Sequence, residues 1–157
     1  MATYRLERNT ESSMIDKITS DLVTDGWTGI YVDKIFAEIY NGHFPSILIN
    51  VSERPDRRLQ IGSDVLSNYI NIEIRIFAEN DGQRLDLSSW LLEKMMSGVA
   101  YYTYTITNGV VSAKVLAGRI SVLEIAINRK ELKNTDNLAK EDRYRHLLNF
   151  RCRVALT

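Results

Sequence analysis

The segment that decides the fold is residues 70–77, Ile-Asn-Ile-Glu-Ile-Arg-Ile-Phe. Its isoleucines alternate strictly with Asn71, Glu73, Arg75 and Phe77. Because successive side chains of an extended chain point to opposite faces, this alternation predicts a β-strand with one buried face. The flanking residues extend the predicted strand over Val65 to Ala78, about 46 Å at 3.3 Å per residue. A compact domain of this length has a radius of gyration of about 15 Å, so the strand must bend or project.

Two further segments alternate in the same way. Phe44-Pro45 precedes a predicted strand from Ser46 to Ser52, with Ile47, Ile49 and Val51 on one face. The closing strand, Leu148 to Leu156, has apolar residues at alternate positions, and Asn149, Arg151 and Arg153 lie between them. Cys152 is in phase with the apolar set, so we interpret it as a small core residue rather than a reactive thiol.

Two helices are predicted from apolar residues at helical spacing. The first runs from Ser12 to Thr24, with Ser12 or Ser13 as the N-cap and Gly26 beyond its end. The second runs from Leu87 to about Val99 and is capped by Asp86. Its apolar stripe includes Leu87, Trp90, Leu91 and Met95.

The remaining segments complete a sheet. Trp27 to Tyr40 fits either a helix or an irregular strand, and we favour the strand. Tyr101 to Ile106 is predicted to be a strand, and Asn108-Gly109 before Val110-Val111 predicts a type I′ hairpin turn. Arg119 to Asn128 supplies another strand, and residues 129–143 are charged and predicted to be a solvated loop.

The order of these elements predicts an α+β fold. Short hairpin-like connections favour an antiparallel or mixed β-sheet, with two α-helices packed on one face. At 157 residues the chain is long enough for one hydrophobic core, so we expect a single domain over residues 1–157.

Composition narrows the function classes. Twenty basic residues balance twenty acidic ones, which disfavours general binding to a phosphate backbone. The single cysteine excludes an intrachain disulfide and fits a reducing compartment. The first residues lack the apolar core of a signal peptide, and no window approaches the ~20 apolar residues of a membrane span. We therefore expect neither export by that route nor a membrane partner.

No catalytic or metal-binding motif is evident. His43 and His146 lie far apart in sequence and without metal-ligand spacing, so we interpret them as ordinary histidines. Glu53, Asp56 and Asp64 are scattered acids of the kind that is usually solvated. We assign no catalysis, no cofactor and no metal. Trp90 fits the core, and Trp27 fits either the core or an interface.

Charged residues on the predicted strands are the candidate functional residues. Glu73 and Arg75 lie on one strand and Arg151 and Arg153 on another, all opposite the apolar faces. Such residues are typical of a solvated sheet face. They also fit a subunit interface, in which complementary charges fix register and partner choice. The overlong central strand favours the interface.

The sequence of motifs resembles the tail terminator, or tail completion, proteins of long-tailed bacteriophages. The resemblance covers roughly residues 12 to 156. It is carried by the N-terminal helix and four further motifs: the Phe44-Pro45-Ser46-Ile47-Leu48-Ile49 strand, the INIEIRIFAEND strand, the LDLSSWLLEKM helix and the NFRCRVAL strand. The segment Thr107 to Arg143 is more elaborate than the family pattern.

The resemblance implies a structural virion protein rather than an enzyme. It implies a homo-oligomeric ring, typically a hexamer, that caps the tail tube, stops its polymerisation and presents the surface that joins the head. It places the protein in the tail or neck of the virion after assembly in the host cytoplasm. Its partners would be copies of itself, the tail tube protein and the head-tail connector, with DNA only as passing cargo.

On this resemblance the polar sheet face would contribute to the lumen or the inter-subunit wall. Two loops, 53–62 and 129–143, would contact tube or connector proteins. Their candidate contact residues are Arg54, Arg57, Arg58, Lys130 and Lys133.

Three alternatives remain. Another neck or tail-tube component would have a similar sheet-plus-helix subunit. A small ligand-binding or catalytic domain would have a deep polar cleft. A single-strand nucleic-acid module could stack bases on residues 101–105, Tyr-Tyr-Thr-Tyr-Thr, although strand alternation already explains those tyrosines.

Overall fold

The computed structural model describes residues 5–34, 45–53, 69–130 and 146–156; at 53, 129, 130 and 146–156 the backbone alone is described. The elements in chain order are α1 Leu6–Thr24, β1 Tyr31–Asp33, β2 Ser46–Glu53, β3 Tyr69–Ala78, α2 Asp81–Met96, β4 Val99–Thr107, β5 Val110–Lys130 and β6 His146–Leu156.

The strands form one mixed sheet in the order β1-β2-β3-β6-β5-β4. The short strand β1 pairs with β2 in parallel, and the other pairings are antiparallel. The α+β fold predicted from the sequence is therefore confirmed.

The core lies between the two helices and one face of the sheet. In β3 the alternate residues Ile70, Ile72, Ile74 and Ile76 are fully buried. They share one hydrophobic cluster with residues of α1 and α2, so both helices cover the same face of the sheet. The helical contribution consists of Leu6, Met14, Ile18, Leu22, Leu87, Leu91 and Met95.

The first helix begins six residues earlier than its apolar spacing predicts. It starts at Leu6, Arg5 is its N-cap, and no side chain caps it. The prediction that Ser12 or Ser13 caps the helix is wrong, because Ser13 is buried in mid-helix and hydrogen-bonds to β4. The first turns lack an apolar stripe because polar residues occupy their buried positions, as at Asn9 and Thr10.

The second helix also begins earlier than predicted. It starts at Asp81, and Asn80 is the N-cap, because its side-chain oxygen accepts a hydrogen bond from the Gln83 backbone N–H at 2.8 Å. The assignment of Asp86 as the cap is therefore wrong. The helix ends at Met96, before Val99, because Gly98 takes a positive φ of 78° and redirects the chain into β4.

The longest strand is β5, with 21 residues. The sequence predicts the hairpin turn correctly, since Asn108 and Gly109 both have positive φ, as a type I′ turn requires. It predicts a separate strand over Arg119 to Asn128, however, whereas the strand that leaves the turn at Val110 is continuous to Lys130. Residues 129 and 130, assigned to the charged loop, belong to this strand.

The remaining boundaries are close to the predictions. The strand predicted over Ser46 to Ser52 is β2, and the closing strand is β6. The described part of the central strand is Tyr69–Ala78, and residues 65–68 lie outside the described residues. In the ambiguous segment Trp27 to Tyr40, only Tyr31–Asp33 forms a described strand, and residues 35–40 lie outside that description.

The sheet curls around α1. Glu11 Oε1 accepts a hydrogen bond from the Val51 backbone N–H of β2 at 2.9 Å, and Ser13 Oγ accepts one from the Tyr102 backbone N–H of β4 at 2.9 Å. Three strands separate β2 from β4, so a flat sheet would hold them about 19 Å apart. Two neighbouring positions of one helix reach both strands only because the sheet is strongly curved.

Candidate assembly interface

Two of the predicted interface residues pair with each other. Arg75 donates from Nε and Nη2 to the two carboxylate oxygens of Glu73, each at 3.2 Å. Both side chains lie on the sheet face opposite the isoleucine core, because they alternate with Ile72, Ile74 and Ile76. Their charges are therefore largely compensated within one strand.

The other two predicted interface residues lie beside acidic or polar neighbours. Strand pairing places Arg151 opposite Glu73, and places Arg153 between Asn71 on β3 and Glu124 on β5. Residues directly opposite in a sheet share a face. The four predicted positions therefore belong to one outer face of the sheet. On that face the strand pairing puts Arg151 and Arg153 next to the acidic positions Glu73 and Glu124.

A shallow concavity lies on this outer face. Its volume is about 160 Å³, and it is lined by Lys34, Leu48, Asn50, Glu73 and Arg75. Sites for small organic ligands usually enclose about 300–1,000 Å³. The concavity suits a contacting side chain better than a bound metabolite.

The predicted contact loops fall mostly outside the described residues. Arg54, Arg57, Arg58 and Lys133 lie there, as do His43, Asp56 and Asp64. The backbone of Lys130 is the end of β5, where it pairs with Leu147 of β6. Cys152 pairs through its backbone with Ile72 and Ile125, in register with the buried face, and its side chain is not described.

The hairpin of β4 and β5 forms an exposed arm, defined here as residues 105–117. Every residue from 107 to 117 is exposed. Four of them are large apolar side chains: Val110, Val111, Val115 and Leu116. Val115 and Leu116 expose 62% and 63% of their surfaces. The register with β4 places Val110 and Val115 on one face of the hairpin and Val111 and Leu116 on the other. Exposed apolar side chains therefore lie on both faces, and exposed apolar surface often marks an interaction site.

The arm also has an open backbone edge. Strand β5 pairs with β4 from Val110 to Ile120 and with β6 from Ile120 to Lys130. Within the described part of the chain, no strand pairs with the second edge of β5 between Val110 and Gly118. Open edges of β-branched strands readily accept another strand or chain.

The base of the arm is held firmly by α1. Tyr104 donates its hydroxyl to Asp16 Oδ2 at 2.8 Å, and Lys114 Nζ lies 3.1 Å from the same oxygen. Burial raises the pKa of Tyr104 to about 12. Ser13 meanwhile bonds to the Tyr102 backbone and so occupies part of the outer edge of β4. The arm therefore extends from a fixed base.

A second exposed apolar surface lies on α2. Leu85, Leu92 and Met96 are exposed, and their spacing of seven and four residues puts them on one side of the helix. We call these three residues the α2 stripe. It faces away from the core, because Leu87, Leu91 and Met95 supply the buried side of the helix. The exposed acids Asp86 and Glu93 both lie on one side of the stripe, about 80–100° around the helix from Leu85.

The two tryptophans join α1 to α2. Trp27 and Trp90 make an edge-to-face contact with ring centroids 6.3 Å apart. Trp90 Nε1 and Lys94 Nζ both donate to Asp25 Oδ2 at 2.7 Å. Hydrogen bonds from Lys94 and Trp90 lower the pKa of Asp25, and the same carboxylate raises the pKa of Lys94. Both tryptophans are half-buried, so neither is a fully enclosed core residue.

Metal-binding clusters and membrane-spanning helices are both missing from the described ranges. Across residues 5–34, 45–53, 69–130 and 146–156, no group of three or more His, Cys, Asp or Glu side chains is arranged to hold a metal. No helix in these ranges combines the length and apolar character needed to cross a membrane.

No protein-family model matches the sequence, and no characterised protein is significantly similar to it. The case for an interface therefore depends on the chain's own surfaces.

Sequence reasoning overlooked the arm and the α2 stripe. The Asn108-Gly109 turn located the hairpin but not its exposure. Adjacent apolar pairs, Val110-Val111 and Val115-Leu116, and a register shift between Val111 and Ala113 leave the arm without a clean alternation. The α2 stripe was obscured by the buried stripe of the same helix, since leucine and methionine occur on both sides.

Proposed function

We propose that copies of this chain form a homo-oligomeric ring that terminates the tail tube of a long-tailed bacteriophage and presents the head-joining surface. The observation that carries the proposal is the arm. Within the described part of the chain this hairpin has four exposed large apolar residues and an unpaired backbone edge, which suits it to contact another protein subunit.

The resemblance of the element order to tail terminators supports the same function. In a ring, lateral contacts between subunits close on themselves, so no free lateral surface remains for further growth. A terminator additionally needs one ring face that repeats the tube contact and one that does not. The polar outer face of the sheet, with Glu73, Arg75, Arg151 and Arg153, would line the lumen or the inter-subunit wall.

Electron microscopy of phage particles lacking this protein tests the proposal. We expect abnormally long tail tubes without heads, because nothing would stop tube polymerisation. Tubes of normal length joined to heads would contradict the proposal. An absence of tubes would instead identify a tube subunit, the nearest alternative, since a tube subunit would also use an exposed arm.

A matched pair of variants tests whether the arm is the contact surface. We expect Val115→Glu to abolish ring formation, because it places a charge in an apolar contact. We expect Val23→Glu to assemble normally, since Val23 is 75% exposed on α1 and lies outside the arm. Light scattering after size-exclusion chromatography measures both. Normal assembly of Val115→Glu would remove the arm from the interface.

A further inference from the structure

The tip of the arm consists of Asn108 followed by Gly109, two residues that can react with each other. Asn108 has a φ of 53° and Gly109 a φ of 81°, and both are exposed. We propose that Asn108 is a site of spontaneous deamidation in the folded protein, where its side-chain amide is converted to an acid without an enzyme. The reaction takes place within one chain, so the proposal is independent of the proposed ring.

The reaction needs only these two residues and water. The Gly109 backbone nitrogen forms a bond to Asn108 Cγ, the Cγ–Nδ2 bond breaks, and ammonia leaves with the proton that the Gly109 nitrogen gives up. Water then opens the cyclic imide at one of its two carbonyl carbons. Opening at Cγ gives aspartate, and opening at the main-chain carbonyl carbon gives isoaspartate, whose main chain runs through Cβ. One water is consumed and one ammonia is released, and nothing is oxidised or reduced.

The structure leaves both reacting groups accessible. Within the described part of the chain, no hydrogen bond engages the Asn108 side chain or the Gly109 backbone N–H. Glycine places no side chain beside the attacking nitrogen, and a Cβ added at Gly109 would meet nothing within 4 Å. Water reaches the tip because every residue from 107 to 117 is exposed.

The turn must open before the imide can form. The left-handed backbone of Asn108 holds the Gly109 nitrogen away from Cγ. The pair that closes the turn is Thr107 with Val110, at the far end of the hairpin from Ile120, where β5 begins to pair with β6. Two-stranded hairpins are marginally stable in water, and exposed backbone hydrogen bonds open readily. The tip therefore reaches the reactive conformation without unfolding of the body.

Either product changes the arm. Both add a carboxylate to residues 105–117, which contain no acidic residue. Isoaspartate also lengthens the main chain by one carbon atom, whereas a type I′ hairpin needs a loop of two ordinary residues. The isoaspartyl form should therefore lose the pairing of Thr107 with Val110.

Peptide mapping by mass spectrometry tests the proposal on folded protein kept dilute at mildly alkaline pH, which promotes loss of the Gly109 amide proton. Asn80 is the internal reference: it is exposed, but its side chain accepts the Gln83 N–H and the next residue, Asp81, has a side chain. Asn108 should convert faster than Asn80 by more than an order of magnitude. The peptide map separates Asn108 from the second Asn-Gly pair, Asn41-Gly42, which lies outside the described residues.

Asn108→Gly is the matched control variant, because Gly-Gly also fits a type I′ turn and has no side-chain amide to lose. Its tip peptide should gain no mass, and circular dichroism should show that both proteins stay folded. If Asn108 stays intact in the folded protein while it converts in urea, the proposal is overturned. Conversion at Asn80 as fast as at Asn108 would overturn it too.

A second variant separates the added charge from the lengthened main chain. Asn108→Asp adds the carboxylate with an ordinary main chain, and Asp-Gly is compatible with the same turn. NMR should detect the cross-strand contact between Thr107 and Val110 in Asn108→Asp and should lose it in the isoaspartyl form, purified by ion exchange. The same contact in both forms would overturn the predicted loss of pairing.

Discussion

Gly98 joins α2 to β4 at a position where no other residue would fit well. Its φ is +78°, and a Cβ placed there would lie 2.7 Å from Arg119 Nε. Arg119 uses this space to donate a hydrogen bond to the Ser97 carbonyl near the end of α2. The absence of a side chain at Gly98 therefore permits both the positive φ of the turn and the close approach of Arg119.

We expect Gly98→Ala to lower the free energy of unfolding by about 1–3 kcal/mol, the usual range for a non-glycine residue forced to positive φ. Gly109→Ala is the matched control, because Gly109 has a φ of +81° and a Cβ added there would meet nothing within 4 Å. Urea denaturation should show the greater loss for Gly98→Ala, and the additional change Arg119→Ala should recover part of it. Equal losses at the two glycines would mean that the arginine contact contributes nothing.

The carboxylate of Asp25 links α1 to α2 through Lys94 and Trp90. Because these hydrogen bonds lower its pKa below the ordinary 3.8, its contribution to stability is present above that value and is lost as pH falls through the folded-state pKa. The stability difference between the unaltered protein and Asp25→Asn should therefore disappear in strong acid. Carbon-detected NMR titration should find that Lys94→Met raises the pKa of Asp25. An unchanged value would assign the shift to another cause.

At the scale of single elements, α2 shows how a cap determines where a helix begins. Asn80 accepts the Gln83 N–H, and the Gln83 side chain in turn accepts the Glu79 N–H at 2.8 Å. These reciprocal bonds satisfy backbone donors that the first turn leaves unpaired. Asp86 is exposed and lies a turn and a half inside the helix.

We expect Asn80→Ala to lower the free energy of unfolding by about 1 kcal/mol, as loss of an N-cap usually does. Asp86→Ala removes a carboxylate from the same helix without removing the cap, so its effect should be small. Chemical denaturation of the two variants measures the difference. A larger loss for Asp86→Ala would contradict the assignment of the cap.

At the scale of the whole molecule, the curled sheet and the exposed arm are parts of one arrangement. Helix α1 holds β2 and β4 together, and the residues of β5 beyond the helix extend into the arm. The body is thus closed by its own contacts, whereas the arm is exposed among the described residues.

Amide hydrogen exchange should reveal this difference in protection between the body and the arm. In dilute protein, amides of residues 105–117 should exchange quickly, and those of residues 70–78 slowly, because the latter lie in a central strand paired on both sides. Under conditions that favour assembly, the arm should become protected. Assembly without any change in arm exchange would place the interface elsewhere. Exchange followed by mass spectrometry of peptides provides the measurement.

The sequence by itself determined three things: which residues of the main strands face inward, the hairpin turn at Asn108-Gly109, and the α+β fold class with two helices and one sheet. These follow from local side-chain order, because alternation and helical spacing report which side of an element is apolar. Alternation alone also put Glu73 and Arg75 opposite the isoleucines of β3, and the register brings the backbones of Arg151 and Arg153 beside those of Glu73 and Asn71.

Two features follow only from the tertiary structure. They are the burial of polar residues on α1 and the exposure of the arm. Ser13 is buried because Tyr102, 89 residues away, presents a backbone N–H to it. Exposure of Val115 depends on which strands reach β5, and that pairing joins segments distant in the chain. Local patterns report the character of a side chain, but its partner is set by how the curled sheet brings remote backbone groups together.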